Sequence, residues 1–415
     1  MMAVSRRRVF IAGLIVLILN GVIGLSCRKW AEPQPRPLLL ISLDGFRWDY
    51  LDKFRPKYLT RLSREGVRAE ALIPVFPTKT FPNHYTIVTG LYAEHHGVVS
   101  NRMYDPLLDA YFSLSDRDAV GDGRWYGGEP LWVTVEKAGM ISATFFWPGS
   151  EAEIKGIRPT YWKAYDGSIP NEERVQQILQ WLQLPEEKRP VFLTLYFSDV
   201  DHWGHRRGPD APELERAVHA VDSAVGTLVE GLKAMGRYDE INLIILSDHG
   251  MAPISPHSVI FIDDYLSLEH LEVIDWSPVL AVRPKPGFED SVYQALKSAH
   301  PHLKVFTKED LPERFHYRSH RRIPEIIGIA DEGWSITTRD YFARRRDRYR
   351  GGAHGYDNRL PSMRGIFIAR GPAFKKGFQR DDFYNIHLYE LMTHLLGVPA
   401  APNDGNLDSV RMILR

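Results

Sequence analysis

After Pro37 the chain runs Leu38-Leu39-Leu40-Ile41-Ser42-Leu43 and is then stopped by Asp44-Gly45. An apolar run without alternation predicts a strand buried on both faces, since no side of it is left for water. Val191 to Asp201, Leu243 to Gly250 and Gly365 to Gly371 share that form, and Ser142 to Trp147 is a fifth case. Between them the period lengthens. Pro212 to Met235 sets Leu214, Val218, Val221, Val225, Leu228 and Leu232 at helical spacing before Gly236, and Ile386 to Leu396 is closed by Gly397 and Pro399. Buried strands alternating with helices predict an α/β fold with a mostly parallel central sheet and helices on both faces. The segment 284–350 shows no such period and carries the basic clusters Arg318 to Arg322 and Arg344 to Arg350. It reads as an irregular insertion with a solvated face, inside one domain spanning residues 38–415.

A different pattern precedes the domain. Arg6-Arg7-Arg8 leads into an uncharged, almost wholly aliphatic run from Val9 to Leu25. A basic segment followed by an apolar one predicts an export signal over residues 1–30, with residues 31–37 and their three prolines as a tether. The run is short beside the roughly 20 residues of a spanning helix. Cys27, the only cysteine, follows it, which resembles a bacterial lipoprotein signal with Cys27 as the lipidated residue, although Gly24 stands where Leu is usual. Arg7-Arg8-Val9-Phe10-Ile11 also resembles a twin-arginine signal, and an uncleaved anchor is the remaining alternative. Each version predicts an exported protein of the periplasm or cell envelope; the lipoprotein and uncleaved versions hold it at the membrane by its N-terminal segment, and a cleaved signal would release it.

Composition narrows the chemistry. With 44% hydrophobic and 25% charged residues, the 415-residue chain is globular rather than disordered. Lys+Arg 52 balances Asp+Glu 52, which argues against a stable nucleic-acid partner. A single cysteine excludes an intrachain disulfide and a multi-cysteine zinc module, whereas sixteen histidines turn any metal site toward His and carboxylate ligands.

Three predicted strands end in such residues: Asp44, Asp201 with His205, and Asp248-His249. One Asp after a strand is ordinarily a turn former. Three gathered at one sheet edge, where α/β proteins bind ligands, would repel one another unless a cation lay among them. Asp201 and His205 are four apart, with Gly204 permitting a bend, and His354 sits in the glycine-rich Gly351-Gly352-Ala353-His354-Gly355. Asp201, His205 and His354 are compatible with one zinc site, and Asp44, Asp248 and His249 with a second. Each set leaves an exchangeable position, and two metals about 4 Å apart can clamp a phosphoryl group in transfer. Pro77-Thr78-Lys79-Thr80-Phe81-Pro82-Asn83-His84 offers Thr80 as a nucleophile that a metal would activate. Taken alone, Thr80 reads as a helix N-cap. Asn101 could donate its amide to a phosphoryl oxygen.

The stretch from Pro77 to Tyr92 closely resembles the nucleotide pyrophosphatase/phosphodiesterase family of the alkaline phosphatase superfamily. The resemblance continues through Phe145 to Ser150, Asp201 to His205, Ser247 to Met251 and His354 to Asn358, in family order. It implies an alkaline phosphatase-like fold and a bacterial, single-domain hydrolase with two Zn2+ per chain. Asp44, Thr80, Asp248 and His249 would hold one ion, and Asp201, His205 and His354 the other. Thr80 takes the position of the family's nucleophile and Asn101 that of its oxyanion-binding asparagine. Phe81, Trp147 and Tyr165 would line the substrate pocket, with Phe81 and Tyr165 stacking on a nucleobase. Ser198-Asp199-Val200 departs from the acidic-Pro stretch common there. The implied reaction releases a nucleoside 5′-monophosphate from a small phosphodiester or pyrophosphate substrate through a phospho-threonine. Hydrolysis of a phosphomonoester, phosphonate or choline-phosphodiester lipid, and a non-enzymatic binding role, are the competing readings.

Overall fold

A computed structural model describes residues 35–415. The predicted export signal, Cys27 and residues 31–34 of the tether lie outside the described residues.

The apolar runs form an eight-stranded sheet. Its order is Phe378–Arg380, Val67–Ala69, Phe367–Arg370, Asn242–Leu246, Leu38–Leu43, Phe192–Phe197, Ser142–Phe145 and Tyr161–Lys163. Leu38–Leu43 is central and pairs in parallel with Phe192–Phe197 and Asn242–Leu246. Its side chains divide by alternation. Leu38 and Leu40 enter the core on one face, under the helices Thr80–Thr89, Leu131–Lys137 and Leu388–Leu396. Leu39, Ile41 and Leu43 enter the core on the other, under Lys57–Glu65, Asn171–Leu182 and Pro212–Ala234. Two faces buried by helices are what a run with no polar position requires.

The sheet is mostly parallel, as expected, with one exception: Phe367–Arg370 runs antiparallel to both neighbours. Hydrophobic pattern marks a strand's burial and carries no information about its direction. Two predicted strands are also shorter than their apolar runs. Phe192–Phe197 gives way at Ser198 to the helix Asp199–Arg207, and Asn242–Leu246 ends before Ser247.

The segment 284–350 is more regular than its sequence suggests. Helix Glu289–Lys297 and strands Leu303–Thr307 and Ile326–Ala330 lie within it. With Leu271–Asp275 and Val279–Pro284 these strands build a four-stranded antiparallel sheet over its own core of Leu280, Val282, Leu296 and Ile326. Ile326–Ala330 pairs with Val279–Pro284 and Leu303–Thr307 across long connections, so no local period announces it. Nor are Arg321 and Arg322 solvated as a pair: both donate to Asp105, and Arg322, 3% exposed, also donates to the carbonyls of Gly97 and Trp125. Among the described residues, no helix is long and apolar enough to cross a membrane.

Candidate active site

The carboxyl ends of the three central strands bring the acidic residues together. Asp44 follows Leu38–Leu43, Asp248 and His249 follow Asn242–Leu246, and Asp201 lies in the first turns of the helix after Phe192–Phe197. That helix puts Asp201 and His205 on one face, four residues apart, with His205 Nε2 3.4 Å from Asp201 Oδ1. Gly204 is therefore helical rather than a bend, and a Cβ there would come within 2.8 Å of Met251 Cε. Gly45 is the tight point between the two sets. Its φ is +69°, and a Cβ would meet Asp201 Cα at 2.8 Å.

His354 reaches the same place from over a hundred residues away. Gly352–Ala353 pairs with Ala252–Pro253, so the residues directly before His354 are held in a strand rather than a free loop. They serve close approach: a Cβ on Gly351 would lie 1.8 Å from the carbonyl oxygen of His205. His354 Nε2 stands 3.0 Å from His205 Nε2 and 3.6 Å from Asp201 Oδ1. His249 Nε2 lies 3.0 Å from Asp248 Oδ2, 3.5 Å from Asp44 Oδ1 and 3.3 Å from Thr80 Oγ1. The His249 and His354 rings stack at 3.5 Å, joining the two groups.

The hydrogen bonding of this cluster is lopsided in a way that fits metal ions. Each Nδ1 of His205, His249 and His354 faces a backbone carbonyl, of Gly352, Gly250 and Thr78, at 2.8–2.9 Å. A ring that donates from Nδ1 leaves its Nε2 with a lone pair. Three such lone pairs then point at one another and at Asp44 Oδ1, Asp201 Oδ1 and Asp248 Oδ2, buried oxygens that accept no hydrogen bond among the described residues. Buried acceptors facing acceptors are costly, and a cation between them removes the cost. Burial, then the mutual repulsion of the carboxylates, pushes Asp44 well up, and burial raises Asp201. Burial, and then Asp201, pushes Asp248 up to about 8. Burial pushes His249 down to about 3 and, with His249 and His205 beside it, His354 well below its usual value. Asp201, His205 and His354 thus suit one ion. Asp44, Asp248 and His249, with Thr80 Oγ1, suit another.

His84 is the residue that sequence reasoning did not single out. It is fully buried, and its Nδ1 lies 3.3 Å from Asp248 Oδ2. Both its nitrogens are engaged, Nδ1 with the Thr80 carbonyl at 2.9 Å and Nε2 with Ser42 Oγ at 2.7 Å. It positions the Thr80 turn rather than offering a lone pair. Tyr196, hidden within an apolar strand, was also missed; its hydroxyl donates to Asp44 Oδ2 at 2.5 Å.

Thr80 is the first residue of the helix Thr80–Thr89, whose N-cap is Lys79, so its hydroxyl is not spent on capping. It faces His249 instead, at a helix N-terminus that favours phosphate. Asn101 Oδ1 accepts the Phe81 N–H at 2.9 Å, which fixes the amide, and its NH2 has no partner among the described residues. Beside Thr80 opens a cavity of about 370 Å3 lined by Phe81, Trp147, Tyr165, Tyr196 and Ser198, with Asp44, Asp201 and His205 also on its wall. Trp147 is nearly buried and holds the Thr80 helix through an indole N–H to the His84 carbonyl at 3.0 Å. Phe81 packs edge-on against Phe112 at 5.4 Å. Tyr165, 39% exposed, leans on Phe146 and reaches Ser198 Oγ at 3.4 Å, where the sequence departs from its family's usual form.

A hydroxyl, an amide and two metal-suited clusters at the strand ends of an α/β sheet define a phosphoryl-transfer hydrolase. The chain belongs to the type I phosphodiesterase / nucleotide pyrophosphatase family, whose model matches residues 38–357. It is similar to human ectonucleotide pyrophosphatase/phosphodiesterase family member 5, at 41% identity over 97% of this chain and 83% of that protein. It is likewise similar to mouse bis(5′-adenosyl)-triphosphatase enpp4, at 41% identity over 96% of this chain and 86% of that protein. Human family member 1 matches at 40% identity over 94% of this chain, which spans only 44% of that longer protein. The solved structure of murine family member 5 superposes with a TM-score of 0.87 at 41% identity, covering 91% of this chain and all of that one. An inactive variant of the same murine protein, solved in complex with AMP, also has a TM-score of 0.87. The fold is alkaline phosphatase-like, and the chain is a hydrolase of this family.

Proposed function

We propose that this protein is an exported, membrane-anchored, two-zinc phosphodiesterase that releases a nucleoside 5′-monophosphate from small nucleotide substrates. The observation that carries the reading is the convergence of three unpartnered carboxylate oxygens and three imidazole Nε2 atoms beside Thr80 Oγ1. Zinc, when bound, supplies positive charge that lowers the pKa of a ligating hydroxyl and polarises phosphoryl oxygens. Asp44, Thr80, Asp248 and His249 would hold one ion, and Asp201, His205 and His354 the other.

Thr80 Oγ1 loses its proton, which solvent passes to the leaving oxygen, and bonds to phosphorus as the bond to that oxygen breaks. The Asn101 NH2 donates to a phosphoryl oxygen, and its placement by the Phe81 N–H spares reorganisation during the step. Water then attacks the phospho-threonine, restoring the Thr80 hydroxyl and freeing the monophosphate. The base lies between Phe81 and Tyr165 against Trp147. A second cavity of about 720 Å3, sharing His205 with the first, is lined by Arg102 and Arg348, by Lys79 paired with Asp275 and Arg344 paired with Asp340, and by His354. Its cations suit an anionic leaving group such as pyrophosphate or a second nucleotide, and suit a choline ester less well. The AMP complex of the murine relative and the dinucleotide named for the mouse one support the same substrate class.

Two comparisons test this. Bis(p-nitrophenyl) phosphate should be cleaved well and p-nitrophenyl phosphate poorly, because the group held beside Thr80 for the phosphoryl oxygens is the neutral Asn101 amide, which suits the monoanion of a diester better than the dianion of a monoester. Tyr165→Ala should cost ATP on the order of tenfold in kcat/KM, about 1–3 kcal/mol for a lost stacking face, and cost the aryl diester less. Equal losses on both substrates would move a non-nucleotide substrate ahead. Phe81→Ala is the less clean variant, since Phe81 adjoins Thr80.

A further inference from the structure

The end of the sheet farthest from the acidic cluster carries the opposite charge. Leu38–Leu43 leads into Asp44 at one end and is preceded at the other by Arg36 and Pro37, whose carbonyl accepts the Asn242 N–H at 2.9 Å. Six strand residues at about 3.3 Å each separate the two ends by roughly 20 Å. Around Arg36 lies an open cavity of about 700 Å3 lined by Arg36, Arg64, Arg370, Lys375, Lys376 and Arg415. Its two carboxylates, Glu65 and Asp239, are both taken. Glu65 accepts from Arg61 at 2.6 Å and from the Tyr238 hydroxyl at 2.7 Å, and Asp239 pairs with Arg370. The other five cations make no ion pair among the described residues. In a chain whose formal charges sum to zero, this end holds an excess of four positive side chains.

Arg36 also ties this face to the N-terminal segment. The uncharged run from Val9 to Leu25 ends eleven residues before it, so chain length alone keeps a bilayer holding that run within about 40 Å of Arg36. We propose that this basic end is a docking surface for an anionic membrane, meeting lipid headgroup phosphates while the acidic cluster at the opposite end of the sheet stays open to solvent. The inference rests on reading residues 1–30 as the anchor. A bilayer is favoured over a soluble polyanion because the apolar run, eleven residues before Arg36, brings a membrane surface to this end of the domain. Arg36, Arg64, Lys376 and Arg415 are exposed, as befits a surface that meets a plane of charge.

The test is flotation of the full-length protein with vesicles of phosphatidylcholine, alone or with 30% phosphatidylglycerol. Two sets of substitutions are made singly and together: Leu14→Asp with Val16→Asp in the apolar run, and Arg64→Glu, Lys375→Glu and Lys376→Glu in the basic face. The anchor-broken protein should float only with anionic vesicles, and 0.5 M salt should release it, as screening requires. Adding the charge reversals should lower its partition by at least about tenfold, since each cation near an anionic leaflet contributes roughly fivefold. The reversed protein with its anchor intact should still float with neutral vesicles, which reports on the anchor independently. Its cleavage of bis(p-nitrophenyl) phosphate and its melting temperature should match the parent's. An anchor-broken protein that ignores anionic vesicles, or whose binding survives the reversals, overturns the proposal. So does micromolar binding of tripolyphosphate to this face without vesicle binding, which would make it a site for soluble polyanions.

Discussion

Thr80 and His354 show how single side chains acquire roles that their neighbours in sequence do not explain. Thr80 begins a helix, yet its hydroxyl faces His249 and does no capping. Thr80→Ala should therefore leave the fold and the metal content intact while turnover falls on the order of 10^4-fold. Thr80→Ser should retain partial activity; near-normal turnover in the alanine variant would assign the nucleophile elsewhere. His354 is 8% exposed, and its Nε2 completes the set begun by Asp201 and His205. Without it two protein ligands remain, too few for a catalytic zinc. His354→Ala should lower zinc toward one ion per chain by elemental analysis and abolish activity, and retention of two ions would remove His354 from the ligand set.

Between elements, the decisive feature is how closely the chain before His354 approaches the helix Asp199–Arg207. Gly351 has backbone, not a flexible side chain, where its Cβ would go, so neither partner can yield cheaply. Gly351→Ala should push the His205 backbone away and weaken zinc binding by about 10- to 100-fold, the usual effect of disturbing a metal ligand's support. Competition with a chelator measures this. Gly121→Ala, at a position with nothing within 4 Å of the added Cβ, should leave the affinity unchanged and serves as the control. The sequence pattern marks those glycines as special without saying what they approach. The packing assigns them to contact, because close approach depends on a partner over a hundred residues distant.

At the scale of the whole molecule, the antiparallel sheet after the catalytic strands is clamped to the rest by Asp105, Arg321 and Arg322. Burial raises the Asp105 carboxyl, but hydrogen bonds from Arg321 and Arg322 outweigh it and hold the group well below the usual carboxylate range. A lowered folded-state pKa contributes stability that is complete above the unfolded value near 4 and is lost as pH falls toward the folded one. Asp105→Asn should destabilise the protein at pH 7 by about 3–5 kcal/mol, as expected when one partner of a buried pair is removed. It should also flatten the loss of stability below pH 4. Urea unfolding at pH 7 and pH 3 checks both, and parallel acid profiles for parent and variant would place the acid sensitivity elsewhere.

The central sheet was legible along the chain because a strand with no polar position has to be covered on both sides, and helical periods were there to cover it. The ligand candidates were legible because acidic and histidine residues at strand ends are costly without a cation, and because several motifs together resemble one family. The direction of Phe367–Arg370, the second sheet, the burial of Arg322, the fixed amide of Asn101 and the parts played by His84 and Tyr196 were not. Each of these depends on which distant segment lies alongside. Periodicity reports whether a residue faces water or protein; only the folded chain sets which protein atom it meets, and the acid–base and metal chemistry of this site follows from those meetings.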